Sequence, residues 1–80
     1  MERTEALAVV REVAVEVLSL DASSITEDAR FKEDLEADSL DLVELVMGLE
    51  ERFSIEVPEE DLEGVTTIGH AVDLVLAKIS

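Results

Sequence analysis

The stretch DSLDLVELVMGLEERF, residues 38–53, decides the fold. With successive residues turned by roughly 100°, Leu42, Leu45, Val46, Leu49 and Phe53 fall on one stripe about 100° wide, enough to face a core. Asp38 stands where its side chain can cap a helix, and Asp41, three residues on, can reach back in a capping box. The stretch therefore reads as an amphipathic helix that begins after Asp38 and runs to about Phe53. Its other side carries Leu40, Val43 and Met47 interleaved with Glu44, Glu50 and Glu51. Apolar atoms ringed by carboxylates suit a docking surface for basic partners, and methionine repacks easily against different ones. The competing reading puts these three residues in the core of a helix gripped from two sides. Gly48, at a cost of about 1 kcal/mol relative to alanine, marks either a close approach of another backbone or a tolerated surface replacement.

Working outward, Leu7, Val10, Val13, Ala14, Val17 and Leu18 recur at spacings of three and four, which predicts a helix over about residues 4–18. Asp21 to Asp38 has no such period and reads as a long loop pinned by Ile25, Phe31 and Leu35. Loops of that length tend to be functional or to cross between distant helix ends. Between Val57 and Gly64 a short helix is expected, with Pro58 in its first turn and Gly64 just past its end. A last helix starts at Thr67 and buries Ile68, Ala71, Val72, Val75 and Ile79. Period-two alternation occurs only briefly, in Phe53 to Val57. The expected class is all-α, a four-helix bundle of three main helices and one short one. Without repeats or linkers, residues 1–80 form a single domain.

A domain this small buries only about 60% of its unfolded surface, which leaves little room for an internal catalytic cavity. There is no cysteine, so any sulfur chemistry must be imported. A net charge of -15 argues against nucleic acid and for basic partners, while 48% hydrophobic residues in periodic order argue for a folded core. Residues 27 to 63 hold fifteen acidic and three basic side chains and so carry -12 of that charge. Such self-repulsion destabilises the fold at low ionic strength. Melting temperatures are expected to rise with added salt or magnesium, and melts that do not move would refute this. The N-terminal MERTEALAVV lacks the basic start of a secretory signal, and no apolar run is long enough to span or insert into a membrane. The chain reads as soluble, cytoplasmic and monomeric. His70 reads as a surface residue, and abundant carboxylates without a pocket do not make an enzyme.

Ser39 falls in the first turn of the central helix. A phosphate ester there would lie beside unpaired N–H groups and the positive end of the helix dipole. Asp38 and Asp41 would repel it unless a divalent cation bridged carboxylate and phosphate during ester formation. Composition and spacing alone make such a serine an ordinary capping residue.

The run Asp34-Leu35-Glu36-Ala37-Asp38-Ser39-Leu40-Asp41-Leu42-Val43-Glu44-Leu45-Val46 resembles the phosphopantetheine attachment motif of acyl carrier proteins, the type used by dissociated fatty-acid synthases. Phe31, residues 47–53, the segment Ile55 to Asp61 and the stretch Thr66 to Asp73 resemble the same family in order and spacing, so the likeness covers essentially the whole chain. The resemblance implies a 4′-phosphopantetheine taken from coenzyme A and joined to Ser39 by a magnesium-dependent phosphopantetheinyl transferase (holo-carrier-protein synthase). Its terminal thiol carries acyl groups as thioesters. Asp38 is implied to assist with metal during loading. Leu40, Asp41, Val43, Glu44, Met47, Glu50 and Glu51 are implied to meet basic patches on the transferase, ketosynthases, acyltransferases and other pathway enzymes. The core stripe would double as a shelter for acyl cargo. Glu36 stands where the family often has glycine, and Gly48 where alanine is common. Fatty-acid synthesis is the expected pathway, with a polyketide carrier as the alternative. A different alternative is an acidic interaction module that is never modified, for which Ser39 would be dispensable.

Overall fold

The structure, a computed structural model, describes residues 1–79. It has three α-helices, α1 (Arg3–Leu18), α2 (Ser39–Phe53) and α3 (Ile68–Ile79), with 3₁₀ turns at Ala22–Ser24 and Glu59–Gly64. Helix α1 is the central element, packing against both α2 and α3, which touch each other far less. Its buried residues are Ala6, Val10, Val13 and Ala14, while Leu7, Val17 and Leu18 are only half-buried. The burial is centred on small residues because α1 has a neighbour on two sides, and alanine lets both come close.

The all-α reading agrees with the fold, and the bounds of two elements need correction. The expected short helix is present as a 3₁₀ helix, in which Pro58 is the N-cap instead of a first-turn residue, and Gly64 is its last residue instead of lying beyond it. Pro58 is held at φ -64 and ψ 150, extended backbone that cannot join a helix, so the turn starts one residue later. Helix α3 begins at Ile68, because the Thr67 hydroxyl acts outside it, accepting a hydrogen bond from the His70 amide at 3.2 Å. As the all-α reading expects, the Phe53–Val57 alternation forms no strand. The one backbone bridge among the described residues joins Arg30 to Thr67.

That bridge belongs to a clasp that explains the long loop. The Phe31 amide donates to Thr66 O at 3.0 Å, the Ile68 amide to Ala29 O at 3.0 Å and the Gly69 amide to Glu27 O at 2.9 Å. Arg3 closes it from outside, with Nε on the Glu27 carboxylate at 2.7 Å and Nη1 on Asp73. Ile25, Ala29, Phe31, Leu35 and Ala37 all enter the core, so the loop is a structural layer with its own buried side.

Gly48 has a close neighbour on α1, a side chain where the sequence reading expected a backbone. A Cβ there would stand 2.8 Å from Val13 Cγ1, and Val13 is buried, β-branched and held to one favoured rotamer. Alanine gains about 1 kcal/mol of helix propensity, whereas overpacking costs about 1–3 kcal/mol. Gly48→Ala is therefore expected to destabilise by up to about 2 kcal/mol in urea titrations, with part of the loss recovered when Val13→Ala is added. A Gly48→Ala variant more stable than the parent would contradict the close approach.

Candidate functional site

The chain enters α2 from a buried anchor. Ala37 is buried, and its amide donates to Phe31 O at 2.7 Å, so the next residues emerge at the surface in a fixed direction. Asp34 braces this turn by accepting from the Arg30 amide at 2.8 Å and the Arg30 Nε at 3.3 Å. The amide, and then the guanidinium, hold its carboxyl below the usual carboxylate range, so the brace is charged at neutral pH. Glu36 adopts φ 54, left-handed backbone that glycine takes without strain and other residues hold at a cost of roughly 1–2 kcal/mol. A sharp turn is therefore built into this chain without the glycine that usually makes one.

The capping box is present in full. The Asp41 amide donates to Asp38 Oδ1 at 3.0 Å, and the Asp38 amide donates to Asp41 Oδ2 at 3.1 Å. This satisfies two of the four orphan amides of the first turn and leaves those of Ser39 and Leu40 free to meet an anion. Each aspartate keeps its second oxygen without a hydrogen bond among the described residues. Ser39 is exposed, and its hydroxyl has no partner among the described residues. Since Asp38 does the capping, the serine is spare, and the plain reading of Ser39 as the cap does not hold.

Beside Ser39 opens a groove of about 580 Å³ between α2 and the Glu59–Gly64 turn, with Leu42, Val43 and Leu62 as its apolar lining. It adjoins an inner pocket of about 230 Å³ that reaches Phe31 and Val65, and both share Leu42 and Leu62. Leu42, expected in the core stripe, is half-buried because it stands at this junction. Leu45, Val46 and Leu49 are buried as expected, and Phe53 is half-buried against the core.

Along the outer face of α2, Leu40 is 73%, Met47 58% and Val43 39% exposed, which excludes the reading of these residues as core. Glu44 and Glu51 are exposed beside them, and Asp41 is half-buried in the capping box. Glu50 differs from the expectation of a free surface acid. Its Oε2 accepts from the Val57 amide at 3.0 Å, which ties down the turn after α2. His70 is exposed as expected, with Nδ1 2.8 Å from the Thr66 hydroxyl.

Residues 8–75 match the family described as "Phosphopantetheine attachment site". The acyl carrier protein of Rubrobacter xylanophilus is 51% identical over 76 residues, covering 95% of this chain and 94% of that one. The chain belongs to the acyl carrier proteins. A second relative, the acyl carrier protein of a Sulfurovum species, is 50% identical over 66 residues, covering 82% of this chain and 88% of its own. Acyl carrier proteins are carriers and not enzymes, their cofactor is a covalently attached 4′-phosphopantetheine, and they work with synthase and transferase enzymes.

The head of α2 fits an acyl carrier protein's cofactor: a free hydroxyl, two open amides and an adjacent groove floored by Leu42, Val43 and Leu62 and rimmed by charged side chains. None of the described helices is long and apolar enough to cross a membrane. Lys32, which lines both the groove and the inner pocket, was not visible from sequence, since its placement depends on the path of the loop.

Proposed function

We propose that Ser39 is the attachment point of the 4′-phosphopantetheine, and that this chain, a single cytoplasmic and monomeric carrier domain over residues 1–80, serves fatty-acid biosynthesis. The observation that carries the assignment is the Ser39 hydroxyl, exposed and without a partner at the head of α2, with the cap supplied by its neighbour. Bound there, the cofactor supplies the terminal thiol on which acyl groups ride as thioesters.

The chain's own part is to present and to shelter. Ala37 and the Glu36 turn aim Ser39 outward, and the amides of Ser39 and Leu40 offer hydrogen bonds to the phosphate. The second oxygens of Asp38 and Asp41 are available to a magnesium ion while a phosphopantetheinyl transferase works on the serine. Leu42, Val43 and Leu62 give apolar cargo a path from Ser39 toward the inner pocket. Leu40, Val43 and Met47, with Asp41, Glu44 and Glu51, form the face offered to the transferase, ketosynthases and acyltransferases, whose basic patches would match these acids. The acidic segments at residues 50–53 and 55–61 favour a fatty-acid over an aminoacyl carrier and separate it only weakly from a polyketide carrier, so the pathway is the part of the proposal that the reconstitution below decides.

The test is intact mass before and after incubation with coenzyme A, magnesium and a promiscuous phosphopantetheinyl transferase, followed by peptide mapping. One added phosphopantetheinyl group, located on Ser39, is the expected result. A folded chain that gains nothing returns the reading to an unmodified interaction module. For the pathway, the loaded protein should support chain elongation by a reconstituted dissociated fatty-acid synthase, and support only of a polyketide synthase would reassign it.

A further inference from the structure

Five of the six basic residues are spent inside the fold. Arg3 pairs with Glu27 and Asp73, Arg52 with Glu12 at 3.0 Å and Lys78 with Asp61 at 3.0 Å. Arg11 Nε donates to Ile25 O at 3.0 Å. Arg30 takes both acids that follow Lys32 in sequence, Glu33 at 2.5 Å and Asp34 at 3.3 Å. Lys32 is left with no hydrogen bond or ion pair among the described residues, in a chain of net charge -15. It lines the same groove as Ser39, where the other charged walls are Glu59, Glu60 and Glu63.

We propose that Lys32 is a positioning residue that pairs with the phosphate of the cofactor attached to Ser39 and so lays the arm into the groove. The inference rests on the Ser39 reading above. A phosphodiester on Ser39 adds an anion next to Asp38 and Asp41 in sequence and faces a groove rimmed by glutamates, so every charged side chain lining the groove but one repels it. The exception is Lys32. A lysine suits the task because its ammonium is a point charge on a long flexible stem and needs no fixed approach angle, so it can follow a phosphate on a mobile arm. Arg30 serves the pairing indirectly by occupying Glu33 and Asp34, which would otherwise compete for the ammonium.

The experiment compares apo and loaded protein by NMR of the lysine side chains and of phosphorus, after mass and peptide mapping have established loading on Ser39. Lys32 and Lys78 are the only two lysines, so Lys78, already paired to Asp61, is an internal control. On loading, the Lys32 side-chain signals should shift and those of Lys78 should not. The phosphorus resonance should move in Lys32→Met, return toward the wild-type position in Lys32→Arg, and lose its dependence on residue 32 near 1 M salt, where the Debye length is about 3 Å. Lys32 is exposed, so both variants should keep the apo backbone spectrum, which is recorded first. Loading on Ser39 with Lys32 and phosphorus signals indifferent to each other would overturn the pairing alone. Loading elsewhere, or none, would overturn the Ser39 reading and the pairing with it.

Discussion

Ser39→Ala is expected to abolish loading completely while leaving the fold standing. Loss is complete because the group is joined through the serine oxygen, and alanine has no atom to replace it. The fold survives because the Ser39 side chain makes no hydrogen bond among the described residues, the capping box runs between Asp38 and Asp41, and alanine is the best helix former. The stability change should stay within about 0.5 kcal/mol, as for a surface substitution away from any special contact. Intact mass and a thermal melt on the same sample decide the matter. A variant that still gains a phosphopantetheinyl group would place the site on another residue, and one that unfolds would make Ser39 structural.

Phe31→Ala is expected to have the largest effect on stability, about 3–5 kcal/mol. The side chain is 1% exposed and is the largest fully buried one among the described residues, although it belongs to a segment without helix or strand. Its backbone is engaged at both ends, the amide with Thr66 and the carbonyl with Ala37. Removing the ring would empty the point where the loop, the start of α3 and the entry to α2 meet. Small domains have only about 5–15 kcal/mol in total, and one of this size melts about 4–8 °C lower for each kcal/mol lost. Urea titration of the variant should therefore give a midpoint far below the parent's or no folded baseline at all. A loss below about 1 kcal/mol would show that the loop is draped over the core instead of belonging to it.

The helices were legible because their information is local. The spacing of Leu45, Val46 and Leu49 and the Asp38/Asp41 pair define α2 without reference to the rest of the chain, and both are found as read. Ile25, Phe31 and Leu35 were also legible as pins of the loop, since isolated apolar residues in a polar stretch must go somewhere. The clasp from residues 27–31 to residues 66–69 was not, because backbone amides and carbonyls leave no trace in side-chain periodicity. The same limit hid the tether from Glu50 to Val57 and the placement of Lys32 beside Ser39. Gly48 allowed two readings because a glycine does not name its neighbour. Val13 chooses between them, and it lies on another helix.

The exposed face of α2 also sets a rule of traffic. A helix of 15 residues is about 22 Å long, and an ordinary interface covers about 800 Å² on each partner, against 4873 Å² for this whole molecule. If the pathway enzymes all dock along α2, the footprint of one excludes the next, and visits must follow one another. Acids that raise the encounter rate toward 10⁸–10⁹ M⁻¹s⁻¹ then help only if departure is fast as well. For stays of about a millisecond, affinity can be no tighter than about micromolar. On the proposed docking, an apolar face of Leu40, Val43 and Met47 is small enough to bind that loosely, and its modest size would let one carrier serve several enzymes in turn.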